Sequence, residues 1–305
     1  MLKIGLLFME TKPSFLNSPS RFKTASLPEF ILNVLLNKAT EKPFSGYYND
    51  FEGKGTYLCR LCGLALFRAT TKFHSGCGWP SFDESIEGSV SRLPDKDGSR
   101  TEIVCSRCHA HLGHVFTGEN FTSNNTRHCV NSLSLDFVPD IEVQDTQEAI
   151  LAAGCFWGVE YYFKKLPGVL KVESGYTGGE KSEPTYREIC MGNTDHVEAV
   201  RVVFDANKLT YEQVIKFFFE IHDPTQQNGQ GPDIGSQYLS KIFYYDAIQK
   251  QIASELSKKL SQAGYSIATT LEPVNVFWPA EAYHQDYYAK IAKMPYCHRY
   301  VRRFE

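Results

Sequence analysis

Apolar residues follow two different rhythms along this chain, and the change falls near residue 140. Between Tyr57 and Val138 the apolar segments are short and separated by Gly, Asp, Asn and Ser, as in 63–67, 101–104 and 114–116. Residues 132–138 (Ser-Leu-Ser-Leu-Asp-Phe-Val) alternate at period two, the mark of a strand with one buried face. This stretch predicts a small, mainly-β domain. Ahead of it, a short helix is expected from Pro28 in its first turn to Leu36, with Phe30, Ile31, Val34 and Leu35 on one side. Residues 1–28 lack periodicity, carry Pro13, Ser18, Pro19, Ser20 and Ser26, and read as a loose arm of unknown role.

The polar, acidic run 140–147 reads as a linker. Beyond it, strand candidates at 148–153, 197–203 and 242–245 alternate with helix candidates. The helices are expected from Phe156 to about Leu166, closed by Pro167-Gly168, over 211–221, and over 246–262 ahead of Gly264. Alternating strands and helices predict an α/β (α+β) layered domain over 148–305. The two halves differ in type, so the chain is a fusion of a 29–139 domain with a 148–305 domain and not an internal repeat.

Composition narrows the function classes. A net charge of −3 and a pI near 6.3 offer no field for nucleic acid or an anionic membrane. No apolar run approaches the roughly 20 residues of a membrane-spanning helix, and the N-terminus makes a poor secretory signal. Nine cysteines, an odd number that includes two C-x-x-C pairs, argue against a disulfide framework and for a reducing, cytoplasmic setting. Cys59/Cys62 and Cys105/Cys108 can supply four thiolates to one tetrahedral ion, which predicts a closed, structural zinc site. No organic cofactor is expected. Two other readings use the same pairs: a zinc-ribbon binding module, which should be basic and is not, and a general disulfide oxidoreductase with C-x-x-C as its active dithiol.

Ser75-Gly-Cys-Gly-Trp-Pro-Ser-Phe82, His109-Ala-His-Leu-Gly-His-Val-Phe116 and Arg127-His-Cys-Val-Asn131 stand with the cysteine quartet in one domain. Over about residues 29–139 the chain resembles the methionine-R-sulfoxide reductase family, MsrB. The resemblance implies Cys129 as nucleophile, Cys77 as recycling thiol and Trp79 as a pocket for the substrate methyl group. It sets His111, His114 and Asn131 around the sulfoxide, with Arg127 close to the nucleophile. Such roles suit the reaction. A thiolate beside a cation is a soft nucleophile for sulfur, and an imidazole can supply the proton for the departing oxygen. The plainer alternative for either histidine is a satisfied core residue.

In the second half, Gly154-Cys155-Phe-Trp-Gly158 lies where a strand hands over to a helix, so the helix dipole is expected to favour a Cys155 thiolate. Pro184-Thr-Tyr-Arg-Glu-Ile-Cys190, Asp195-His-Val-Glu198, His222-Asp-Pro-Thr-Gln-Gln-Asn228, Gly231-Pro-Asp-Ile-Gly-Ser-Gln-Tyr238 and Phe277-Trp-Pro-Ala-Glu-Ala-Tyr-His-Gln-Asp286 follow in order. This series resembles the methionine-S-sulfoxide reductase family, MsrA, whose fold is a two-layer sandwich. The resemblance implies Cys155 as nucleophile and Glu198 as the acid for the sulfoxide oxygen. Tyr186 and Tyr238 would donate hydrogen bonds to that oxygen with Asp233 in support, and Phe156 and Trp157 would seat the methyl group. Leu239 and Gly229 stand where the family commonly has arginine. The segment Met294-Pro-Tyr-Cys297 is two residues shorter than the usual region of the recycling cysteine, a role carried to Cys297 on a mobile C-terminal segment. Cys190 is expected to be a small buried hydrophobe. Taken together, the two resemblances imply reduction of both methionine sulfoxide epimers in proteins and peptides, with thioredoxin as the reductant.

Overall fold

The short, Gly-punctuated runs of the first half do become strands, but they divide between two sheets. The computed structural model describes residues 23–95 and 98–305, so most of the N-terminal arm lies outside the described residues. Helix α1 (Glu29–Asn37) buries Ile31, Val34 and Leu35. Phe30 faces solvent, and Pro28 is the N-cap instead of a first-turn residue. Strands β1 (Thr56–Cys59), β2 (Ala65–Arg68), β3 (Lys72–Phe73), β4 (Ser81–Phe82), β5 (Val90–Pro94), β6 (Thr101–Cys105), β7 (His111–Thr117), β8 (Thr126–Val130) and β9 (Leu135–Val138) follow. They form a three-stranded sheet ordered β2-β1-β9 and a six-stranded sheet ordered β3-β4-β8-β7-β6-β5, both antiparallel. Residues 132–134 are a 3₁₀ turn, so the alternating run extends only from Leu135. Tyr57, Phe67, Phe82, Leu112 and Val130 share one core, in which Phe67 stacks on Phe82 at 4.4 Å.

The second half comprises β10 (Thr146–Ala153), α2 (Phe156–Phe163), β11 (Val169–Thr177), α3 (Tyr186–Cys190), β12 (Val197–Asp205), α4 (Tyr211–Ile221), β13 (Gly229–Gln230), β14 (Asp233–Ile234), β15 (Ser240–Tyr244), α5 (Ala247–Gln262), β16 (Thr270–Pro273), β17 (Trp278–Pro279) and α6 (Tyr287–Ile291). Its main sheet is mixed, ordered β16-β15-β10-β12-β11-β17, with only β15 and β16 parallel. Helix α4 occupies the span its periodicity predicts because Thr210 and Gln213 close a reciprocal capping box at its start. Its apolar face, with Val214, Ile215 and Phe218, joins Leu151, Val202 and Phe204 of the sheet in one core. Among the described residues, no helix is long and apolar enough to cross a membrane.

The acidic stretch expected as a linker is docked on the first domain. Leu64 bridges Asp145, Arg107 pairs with Asp145 at 2.7 Å, and the Thr146 hydroxyl donates to Gly63 O at 2.9 Å. The end of the arm is held as well. Lys23 is buried, donates its backbone N–H to Leu61 O at 2.9 Å and pairs with Glu148 at 2.8 Å. Deeper between the domains, Arg201 of β12 reaches Asp136 of β9 at 2.9 Å, Glu148 at 3.2 Å and Glu173 at 3.0 Å, while Lys171 reaches Asp136 at 2.8 Å. Burial works against ionisation of these three carboxyls. Arg201, Lys171 and Lys23 overcome it and hold all three below the usual carboxylate range.

Removing one partner of a buried charge cluster leaves the others uncompensated. Arg201→Met is therefore expected to lower stability by about 3–5 kcal/mol, read as a lower urea midpoint at pH 7. Because the carboxyls' folded-state pKa values are depressed, the cluster's stabilisation is present above the ordinary carboxylate range and lost as pH falls through those depressed values. An unchanged midpoint in the variant would show that the cluster is not holding the domains.

Candidate active sites

The first site is a row across the six-stranded sheet. Register places Glu102 of β6 opposite His114 of β7, His114 opposite Cys129 of β8, and Cys129 opposite Ser81 of β4. Cross-strand partners share a face, so these side chains line one stripe, and Arg127 joins it two residues before Cys129. Arg127 makes a fork with Glu119 at 2.7 and 2.8 Å and lies over the Phe116 ring at 4.5 Å. The loop 74–80 delivers Cys77 from above, with its Sγ 3.7 Å from Cys129 Sγ. The Ser75 hydroxyl donates to Cys77 Sγ at 3.0 Å. The bond from the Cys129 thiol, with those from Ser75, Trp79 and Ser81, pulls Cys77 down to about 4. That same bond and burial push Cys129 up, against the pull of Arg127. Contact between the two sulfurs thus works against ionising both at once.

His111 Nδ1 lies 2.7 Å from Glu102 Oε1, and Lys38 holds the other Glu102 oxygen at 2.7 Å. The carboxylate fixes the proton on Nδ1, so Nε2, buried and without a hydrogen-bond partner, presents a bare lone pair. Burial lowers the His111 pKa even against Glu102. His114 Nε2 meets Asp95 at 3.2 Å. The Asn131 amide donates to Leu112 O at 3.2 Å and accepts from Glu41 N at 3.1 Å. Half-buried Trp79 donates to Glu41 O at 3.2 Å, and the Glu41 carboxylate takes the N–H groups of Ser132 and Leu133. Glu41, Glu102 and Glu119 were not foreseen; each is a single acidic residue whose role depends on a fold contact.

The cysteine quartet lies at one end of this domain. The sulfurs of Cys59, Cys62, Cys105 and Cys108 are all within 4.8 Å of one another, and two of the contacts are 3.5 and 3.6 Å. Each pair sits on its own turn, and the two turns have the same form. Cys59 O accepts from Gly63 N and Cys105 O from His109 N, and Gly63 and His109 both adopt left-handed backbone at φ 74° and 58°. Such a set could hold a metal ion.

The second site is built where β10 ends. Cys155 is the N-cap of α2. Buried Glu198 reaches across from β12 to accept the Phe156 N–H at 3.0 Å. Burial and the neighbouring Cys155 push Glu198 well above the usual carboxylate range, which favours its protonated form. Cys155 is not stabilised as a thiolate in this state: the bond with Cys297 and burial push its thiol up and outweigh the Trp157 N–H at the helix start. Burial and Glu198 also raise Tyr186 and Tyr238, keeping both as hydroxyl donors. Phe156 is buried against Tyr176 and His284. Trp157 stacks on Tyr287 at 3.6 Å and donates to His284 Nδ1 at 3.0 Å. Glu281 accepts from Tyr176 and from Tyr186 N. His284 and Glu281 fall within the 277–286 motif but had no role assigned to them.

Cys297 is neither distant nor free. Cys155 Sγ, a carboxylate oxygen of Asp233 and Cys297 Sγ all lie within 4.8 Å of one another, and Cys297 is buried. Its segment is strapped down: Gln230 donates to Cys297 O at 3.2 Å, and Glu220 takes the Arg303 and Phe304 N–H groups and the Tyr300 hydroxyl. The expectation of a mobile terminus is thereby corrected. Cys190 also departs from expectation: in α3 the buried residue is Ile189, and Cys190 is exposed.

Comparison with known proteins follows this division. A family model described as "Peptide methionine sulfoxide reductase" matches residues 147–305, and one described as "SelR domain" matches residues 27–139. "Peptide methionine sulfoxide reductase MsrA" of Thermus thermophilus is 49% identical over 150 residues, covering 49% of this chain and 85% of that protein. Its counterpart in Natronomonas pharaonis is 45% identical over 160 residues, covering 52% and 90%. A solved structure of Mxr1 from Saccharomyces cerevisiae in reduced form is 36% identical over 50% of this chain and 89% of that one, with a TM-score of 0.47.

Proposed function

The chain belongs to the peptide methionine sulfoxide reductase family and carries a SelR (MsrB) domain ahead of that half, and from this premise we propose how its thiols divide the work. The protein reduces both epimers of methionine sulfoxide, the R-epimer in the first domain and the S-epimer in the second. The observation that carries the assignment of residues is that each domain brings two thiols, and only one such pair, to a site with its own proton donors.

In the first site, Cys129 is the nucleophile. Arg127 favours its thiolate, and Cys77 Sγ lies 3.7 Å away. The thiolate attacks the sulfoxide sulfur, the oxygen is protonated, methionine leaves and Cys129 becomes a sulfenic acid. Cys77 then displaces water to form the disulfide. His114 and His111 handle the protons, and Trp79 seats the methyl group. In the second site, Cys155 attacks and neutral Glu198 protonates the sulfoxide oxygen held by Tyr186 and Tyr238. Phe156 and Trp157 seat the methyl group, and Asp233 supports the Cys297 side of the pocket. Cys297 closes the disulfide. An external dithiol, thioredoxin, restores both pairs by exchange in a reducing, cytoplasmic setting.

We assign the quartet to structural zinc. Thiolates about 2.3 Å from a tetrahedral ion stand about 3.8 Å apart, close to the 3.5 and 3.6 Å contacts seen here. Four thiolates leave no open position, so the ion would hold the first domain as mainly-β and take no part in reduction. The second domain is read as a two-layer α/β sandwich.

Two expectations follow. Cys129→Ser should abolish R-sulfoxide reduction and leave S-sulfoxide reduction within twofold, and Cys155→Ser should do the reverse, in assays with separated epimers. A full equivalent of methionine from R-sulfoxide in Cys129→Ser would favour attack by Cys77, and loss of both activities from one folded variant would contradict separate sites. Cys59→Ser should release about one zinc per chain and abolish the first domain's melting transition, because metal-binding energy in such a site is folding energy. Metal-free protein with an unchanged transition would contradict the zinc assignment.

A further inference from the structure

We propose that His298 is the general base of the second site's recycling step, taking the proton from Cys297 as that thiol attacks the Cys155 sulfenic acid. The proposal rests on the reading of Cys297 as the recycling thiol and adds a residue to it. His298 Nε2 lies 2.6 Å from Ala153 O. A carbonyl can only accept, so Nε2 carries the ring proton and Nδ1 is left with a lone pair. That lone pair faces Cys297 Sγ at 3.1 Å, so the thiol donates to it. A buried histidine with only structural work would satisfy both nitrogens from inert groups. Here one partner is inert and the other is the sulfur that must lose its proton.

The surroundings hold the ring in this pose. Helix α2 passes His298 at Gly158, where any Cβ would fall on Nδ1. Titratable groups that act on the ring are Cys297, Asp233 of β14 and His222 after α4. Burial, countered in part by the Ala153 carbonyl and Asp233, lowers His298 to about 4, so the imidazole stays neutral and able to accept across the working range.

The step balances without a further reagent. Nδ1 accepts the Cys297 proton, the S–S bond forms, and the S–O bond of the sulfenic acid breaks. The proton returns to the departing hydroxide as water. No net change of oxidation state occurs beyond pooling the oxidation of Cys155 over two sulfurs.

The test is a single turnover of S-sulfoxide without reductant, following methionine release and disulfide formation separately by quench and mass analysis. His298→Gln keeps a donor for Ala153 O but has no base. It should still release one methionine per site while disulfide formation slows roughly 100-fold, recovering about tenfold per pH unit as hydroxide takes over. Disulfide formation at the parental rate overturns the proposal. The Cys297→Ser variant reports on the underlying reading: if it forms the Cys155 disulfide as fast as the parent, that reading fails, whatever His298 does. Should His298→Gln not fold, the unaltered chain decides the matter. A base already neutral above about pH 4 gives a rate that is flat from there to neutrality, whereas a rate rising tenfold per unit over that range overturns the assignment.

Discussion

A disulfide forms only if its two sulfurs can close to about 2 Å with the Cα atoms within about 7 Å, and the proposed thiol pair of each domain is placed for that closure. In the first, Cys129 is fixed on a central strand and Cys77 arrives on a loop, with the sulfurs 3.7 Å apart. In the second, Cys155 caps a helix and Cys297 comes from the C-terminal segment. The same proximity explains the electrostatics. Two thiolates side by side would repel, so closeness of the sulfurs works against ionising both members of a pair at once.

The two domains reach this end with different means. The first uses charge: Arg127 beside Cys129, a Lys38–Glu102–His111 chain, and hydroxyls around Cys77. The second uses exclusion of water: burial pushes Glu198 above the usual carboxylate range, and two tyrosines remain hydroxyl donors. A chiral sulfoxide gives a reason to keep both, since one pocket of fixed handedness presents only one epimer correctly. The domains are nevertheless joined tightly. Arg201 and Asp136 meet between them, and Thr146 of the second domain's first strand bonds Gly63, next to Cys62.

Much of the chemistry was legible in the sequence because it lies in short motifs. The motifs around Cys77, Cys129, Cys155 and Cys297 mark four thiols, and the fold brings them together in two pairs. Helices α4 and α5 were readable because capping residues at Thr210 and Asp246 agree with their apolar period. Strand β11 was not, since Lys171 and Glu173 interrupt it with charge, and those charges make sense only against Asp136 and Arg201 of the domain interface. Glu41, Glu281 and His284 were missed for the same reason: their partners lie about 90 to 130 residues away. A terminal segment reads as mobile until Glu220 is seen to hold it. In each case the missing information was a long-range polar contact, which leaves no local period to detect.

Stoichiometry offers the most direct measurement of two independent thiol pairs on one chain. Fully reduced protein, with no external reductant, is mixed with excess racemic peptide methionine sulfoxide; methionine is counted, and thiols are titrated after denaturation with chelator. Two methionines should form per chain, one from each epimer, and four of the nine thiols should disappear, leaving five. One methionine per chain with two thiols lost would show that the two pairs form a single catalytic unit and would contradict the account.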